Sequence, residues 1–232
     1  MGDVLGIITA RAGSKGLPNK NILQLGGKPL VQHSMDTVQE SCKINRAILS
    51  TDITDVAELG KKYSKLINFG LRPSYLCKSD TSQIEVINYE LDQYLQHGYK
   101  RPKFIALLQP TSPFRIVAEI DQAVQELEQT NKESLIGVCP VYHHPADYII
   151  KTGKNKIKWV FRDNNWRRRQ DFSEVFFDCG ALYICQYEYF KKKEMLYDEN
   201  SLLFELSQCS MFDIDSSFDL SMAEAFISQT SK

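Results

Sequence analysis

Two stretches of the chain carry residue types that can do chemistry. The first, "TARAGSKGLPNKN" (Thr9 to Asn21), follows the apolar run "VLGII" and gathers Arg11, Lys15 and Lys20 around Gly13 and Gly16. Glycines let backbone N–H groups approach an anion, and clustered cations neutralise it. A triphosphate suits both features, although the same loop could also be a polar connection with no ligand. The second stretch, "FDIDSSFD" (Phe212 to Asp219), sets Asp213 and Asp215 two residues apart. On the terminal strand that this spacing predicts, both carboxylates point the same way. Two hard oxygen donors with room for phosphate and water suit Mg²⁺.

Three familiar readings of these stretches fail. The loop fits neither G-x-x-x-x-G-K-[ST] nor G-x-G-x-x-G. D-x-D-x-[ST] also marks aspartyl-phosphate phosphatases, but there it opens the domain, whereas only seventeen residues follow Asp215. Ser216 or Asp215 would also serve as N-cap of a last helix, with Asp219 in its first turn, where negative charge is favoured.

The elements that must position these residues follow an α/β pattern. Val4 to Thr9, Arg46 to Ser50, Phe104 to Gln109 and Ser134 to Val141 read as strands. Pro29 to Cys42, Thr54 to Tyr63, Glu85 to Gln96 and Ala118 to Gln129 read as the helices between them, with Asp52 and Thr54 as candidate N-caps for the second. Strands separated by single helices imply right-handed crossovers, and unbroken apolar runs imply strands covered on both faces. The expected fold is a doubly wound, mostly parallel sheet, with a loop leaving the carboxyl end of the first strand, where such sheets bind ligands. After Val141 the pattern changes. Tyr148 to Phe161 reads as a hairpin, and eight of the nineteen residues from Lys151 to Arg169 are basic. Phe177 to Cys185 returns to strand character, and a last helix starts near Ser216.

Composition bounds the rest. With 232 residues, 43% hydrophobic and 25% charged, the chain is expected to form a single domain, 1–232, with a protruding arm. A net charge of −1 argues against nucleic-acid or membrane-surface partners. No apolar run is long enough to cross a bilayer and no export signal opens the chain, so a cytoplasmic setting is expected. Six scattered cysteines without a C-x-x-C pair then read as reduced thiols.

With these residues in order, a family resemblance emerges. "ARAGSKGLPNKN" (Ala10 to Asn21) resembles the nucleotide-binding signature of the acylneuraminate cytidylyltransferases, the CMP-sialic acid synthetases. "LGGKPL" (Leu25 to Leu30), "STD" (Ser50 to Asp52), Arg72 with Pro73, "DTS" (Asp80 to Ser82), "LLQPTSPFR" (Leu107 to Arg115), "HHP" (His143 to Pro145), Arg169 with Gln170, and "DID" (Asp213 to Asp215) continue it along nearly the whole chain. The resemblance implies transfer of CMP from CTP to a nine-carbon 2-keto sugar acid, with pyrophosphate released.

Roles follow from the resemblance residue by residue. Arg11, Gly13, Ser14, Lys15 and Lys20 would hold the triphosphate, with Arg11 and Lys15 favouring the departing pyrophosphate. Asn21 and Arg72 would seat the nucleoside, though Asn21 could simply cap a turn and Arg72 could be a surface charge. Asp213 and Asp215 would hold Mg²⁺. Gln109 would touch the sugar, and Arg169 would grip its carboxylate through paired hydrogen bonds. His143 and His144 read as structural or dimer-contact residues, since adjacent histidines without further ligands make a poor metal pair. No general base stands out.

The match thins at Phe177 and at Cys179-Gly180-Ala181, where sialic acid enzymes show an Arg and Asn-Gly-Ala. The Phe-Asp-Cys-Gly segment is closer to relatives that use legionaminic and pseudaminic acids. A sugar pocket built on Phe177 and Cys179 would favour a less polar, legionaminic-like tail, with N-acetylneuraminic acid as the rival acceptor, or the two could be repacked residues behind the sugar site. The arm at about 141–175 would be exchanged in a homodimer. Two further rivals are a keto-deoxy-octulosonate cytidylyltransferase and a non-catalytic nucleotide-sugar binding protein.

Overall fold

The computed structural model describes residues 3–14, 16–161 and 173–230. Its centre is β1 (Val4–Ala10), whose side chains are almost all buried. β4 (Ile44–Thr51) and β6 (Phe104–Leu107) flank it in parallel, and β5 (Leu66–Ile67) extends the β4 edge. On the other side β10 (Phe176–Gln186) runs antiparallel to β6, followed by β7 (Ser134–Pro140) and β11 (Leu202–Glu205). The seven-stranded order is β11-β7-β10-β6-β1-β4-β5, with β10 the reversed strand among those described. The short β2 (Gln24–Leu25) and β3 (Lys28–Pro29) pair beside the sheet.

Alternate residues of the central strands enter two different cores, which explains why these strands read as unbroken apolar runs. Val4 and Ile8 of β1 pack with Val31, Met35 and Val38 of α1 (Leu30–Glu40) and with Ile120, Val124 and Leu127 of α4 (Val117–Glu128). Leu5 and Ile7 pack on the opposite face with Ile87 and Leu91 of α3 (Gln83–Gln96) and Phe190 of α5 (Tyr187–Lys193). This is the doubly wound arrangement expected.

A third, smaller cluster matters most for the site. Leu25, Leu30, Ile214 and Ala223 are fully buried together, with Phe212, Leu220 and Ile227 against them. It fastens the chain's last segment and α6 (Ser217–Thr230) onto the β2–β3 turn, where Gly26 adopts φ +57° and its Cα faces Ile227 too closely for a side chain.

Two local expectations need correction. Asp52 and Thr54 do not cap α2 (Thr54–Gly60) through their side chains: Ile53 is the N-cap residue, its N–H donates to Thr51 Oγ1, and Asp52 is used elsewhere. Asp213 and Asp215 do not lie on a strand. They follow a short 3₁₀ turn, Gln208–Met211, in an irregular segment where Ile214 alone is buried, so the two carboxylates still face outward together. The hairpin is present as β8 (Ile149–Gly153) and β9 (Lys156–Trp159), a two-stranded sheet of its own.

Candidate active site

A cleft of about 310 Å³ opens at the carboxyl ends of β1, β4 and β6. The loop after β1 forms one wall. Its entry is tied down when Ala12 N donates to Asp52 Oδ1 at 2.7 Å, and its exit when Asn21 Nδ2 donates to Arg11 O at 2.8 Å. Gly13 sits at φ +69°, a left-handed conformation that a side chain would strain. Gly16 is required for a different reason: a Cβ there would lie 2.7 Å from the carbonyl oxygen of Asp215. That close approach seats the acidic tail against the basic loop.

Charge follows the same contact. Lys20 Nζ reaches Asp215 Oδ1 at 2.6 Å. Asp213 stands near them, and desolvation together with the Asp215 charge raises its pKa from the ordinary value. Asp219 turns inward and accepts from Asp215 N, Ser216 N and Ser216 Oγ. Burial opposes its charge, but these hydrogen bonds win and hold its pKa low. Two exposed carboxylates facing outward on one side, close enough for one charge to act on the other, form a donor set that a hard divalent cation fits. Among the described residues no group of three or more His, Cys, Asp or Glu side chains could enclose a metal by itself.

Arg72 lies at the floor of the cleft and is 6% exposed, so it is no surface charge. Its Nε donates to Ser50 Oγ at 2.9 Å and its Nη2 to Ser50 O at 2.8 Å. Burial pulls the Arg72 pKa down and pushes that of its neighbour Glu90 up. The opposite wall is the turn after β6, where Gln109, Pro110 and Thr111 line the opening. Arg115 fixes this turn from below. The guanidinium donates to Gln109 O, Ser112 O, Ala181 O and Ser34 Oγ at 2.5–3.1 Å. Burial lowers its pKa to about 9, while nearby Cys179 and Asp213 act in the other direction.

The cleft thus brings together Arg11, Ser14, Lys20, Asn21, Arg72, Gln109 and Asp215 from the residues the sequence pointed to. Lys15 and Arg169 lie outside the described residues. Phe177 and Cys179 do not line this cleft. Cys179 is 3% exposed in the first core, where its Sγ donates to Gly137 O, and Phe177 packs against the same core. Both occupy the one face of β10 that its pairing with β7 turns inward. His144 Nδ1 accepts from Ala146 N and caps the turn 145–147, a structural part as expected.

Sequence reasoning passed over Thr9, Gln83 and Thr111, which also line the cleft, and over Arg115 beneath it. Gln83 Nε2 donates to Thr9 Oγ1 at 2.9 Å, joining the start of α3 to the end of β1. A capping-box signature, Ser82 followed by Glu85, places Gln83 in the first turn of α3, and the structure confirms both halves of that box.

Fold and site together define a nucleotide-sugar type transferase, and the chain belongs to the family described as Cytidylyltransferase, which matches residues 5–224. An N-acylneuraminate cytidylyltransferase of Escherichia coli O18:K1:H7 is 30% identical over 95% of this chain, which covers 51% of that relative. Over nearly full length on both sides, two Campylobacter proteins are each 25% identical. They are the post-translational flagellin modification protein B of Campylobacter coli and the CMP-N,N'-diacetyllegionaminic acid synthase of Campylobacter jejuni. A CMP:2-keto-3-deoxy-manno-octonic acid synthetase solved with CTP superposes with a TM-score of 0.69 over 98% of this chain and 99% of its own, at 14% identity, which speaks for the fold.

Proposed function

We propose that this cytidylyltransferase moves CMP from CTP to a nine-carbon 2-keto sugar acid of the sialic or legionaminic type. The observation that carries the reading is the contact between loop and tail: Gly16 touching the Asp215 backbone and Lys20 paired with its carboxylate. A site built for triphosphate with a divalent cation needs this juxtaposition of cations and carboxylates. Names borne by the relatives supply the acceptor class.

In the proposed reaction the acceptor hydroxyl attacks the α-phosphorus, the bond to the bridging oxygen of the β-phosphate breaks, and pyrophosphate leaves. Phosphoryl-type transfer relies on positioning and charge stabilisation. Arg11, Ser14 and Lys20, joined by Lys15, hold the triphosphate and offset charge on the departing group. Gly13 gives their loop its turn. Asn21 and Arg72 seat the nucleoside, Gln109 meets the sugar, and Arg169 takes its carboxylate. Asp213 and Asp215 would hold Mg²⁺, which when bound neutralises phosphate charge and sharpens the electrophile.

Selection of the acceptor's tail by Phe177 and Cys179 would have to act from behind the cleft, since neither lines it and Cys179 is buried. Support for a homodimer comes from the hairpin. An isolated two-stranded sheet is marginal in water, yet Ile149, Ile150 and Ile157 are each more than half exposed on it. A partner subunit covering that surface accounts for both facts. No helix among the described residues is long and apolar enough to span a membrane, and the need for CTP supports a cytoplasmic setting.

Pyrophosphate release with Mg²⁺ and CTP, offered N-acetylneuraminic, legionaminic, pseudaminic and keto-deoxy-octulosonic acids side by side, tests the reading. Turnover of a nine-carbon acid in preference to the eight-carbon one is expected. Folded protein that turns over none of them would overturn it in favour of a binding protein.

A further inference from the structure

Arg115 is, with Arg72, one of two buried cations among the described residues. It is 9% exposed, sits under the cleft rather than in it, and its four hydrogen-bond partners are all neutral: three carbonyls and one hydroxyl. Burying a guanidinium without a paired carboxylate is costly, and neutral donors would suffice merely to close a turn. The four partners belong to three separate elements. Gln109 and Ser112 belong to the turn after β6, Ala181 to β10 just past the left-handed Gly180, and Ser34 to α1. The same turn continues the connection. Thr111 O accepts at 2.8 Å from the N–H of Ile214, the residue between Asp213 and Asp215.

We propose that Arg115 is a positioning residue which locks the acceptor wall of the cleft, through Gln109, to the acidic segment Asp213–Asp215, through Thr111. The inference rests on the cytidylyltransferase reading for its kinetic consequence, and on the hydrogen-bond path alone for its structural one. Two effects are therefore separable. Lysine at 115 keeps the charge but cannot span four acceptors in three elements, whereas methionine keeps bulk and loses both.

The test uses the full chain with Arg115→Lys, Arg115→Met and, as an independent loosening of the same lock, Ser34→Ala, which removes one acceptor of the guanidinium. Three quantities are read: steady-state pyrophosphate release, CTP binding by calorimetry, and hydrogen exchange of segments 109–115, 212–216 and β1. For Arg115→Lys, kcat should fall at least about tenfold with a raised KM for the acid, while CTP affinity stays within about threefold. Amides of 212–216 should exchange at least about tenfold faster with β1 unchanged, since local opening and not global unfolding is at issue. Arg115→Met should be worse than Arg115→Lys in kcat. Should the methionine variant fail to fold, Arg115→Lys and Ser34→Ala decide the matter. Unchanged exchange at 212–216 in a folded Arg115→Lys protein overturns the positioning role, as do kcat and acceptor KM both within about twofold of wild type. Wild-type protein inactive with every acid would sink the functional reading instead, leaving the exchange measurement to judge the lock.

Discussion

Lys20 and Asp215 form an ion pair whose two ends differ in exposure, 14% for the lysine side chain and 67% for the aspartate. Such a half-wet pair contributes about 1 kcal/mol or less to stability, whereas a lysine on a triphosphate is worth far more to turnover. Lys20→Ala should therefore lower kcat/KM by about 100-fold or more and shift the melting temperature by only a few degrees. Large melting loss with near-normal turnover would refute the triphosphate role. Cys179 makes the opposite case. Because its thiol fills the core, Cys179→Ala should leave the ranking of acceptor acids untouched and cost about 1–2 kcal/mol of stability, read by denaturant titration. A changed ranking would return Cys179 to the sugar pocket. Loop residues were legible because their chemistry is local: glycines and cations on one turn mean an anion wherever the turn ends up. Cys179 was not, because the face of β10 it occupies is fixed by pairing with β7, some forty residues away in the chain.

At the scale of elements, α3 shows how a helix start can serve a site. Ser82 Oγ accepts from Ile84 N while Glu85 reaches back to Ser82 N. Ser82→Ala should cost about 1 kcal/mol and, because Gln83 follows directly in the cleft wall, should also raise KM for CTP. Glu90, further along α3, sits beside Arg72 and Ser50 with its pKa raised mainly by burial. A carboxyl that is easier to protonate folded than unfolded contributes stability that is present at low pH and lost as pH rises through the folded value. Melting temperature followed from pH 4 to 8 should thus show a smaller decline toward neutrality in Glu90→Gln than in wild type. An identical slope in both would show that burial of this charge is not limiting. The main strands and helices were read within three residues of their observed ends, since periodicity and apolar runs mark them directly. The cap of α2 was misread because Asp52 is taken by Ala12 N across the cleft, a contact that exists only once β1 and β4 lie side by side. β5, α5 and β11 were passed over because two to seven residues leave little period to see.

For the whole molecule, the proposed homodimer rests on the exposed hairpin. Ile149 pairs with Trp159 and Lys151 with Ile157 across β8 and β9, so Ile149 and Ile157 lie on one face. Charges placed there should prevent association: Ile149→Glu with Ile157→Glu should sediment as a monomer, where wild type is expected to be a dimer. A wild-type monomer at micromolar concentration, or a double variant that stays dimeric, would remove the arm from the interface.

β10 also carries a consequence for how the protein is made. β6 and β7 precede it in the chain, yet they never touch as neighbours, because β10 lies between them in the sheet. While the ribosome has released only the first hundred and seventy or so residues, β1, β4 and β6 can assemble, but one side of β6 has no strand to pair with and β7 has no place to dock. Open strand edges of this kind invite pairing with other chains. The interval between synthesis of residue 140 and residue 186 is therefore the vulnerable period of this protein's biogenesis, and nascent-chain binding of a chaperone should peak within it.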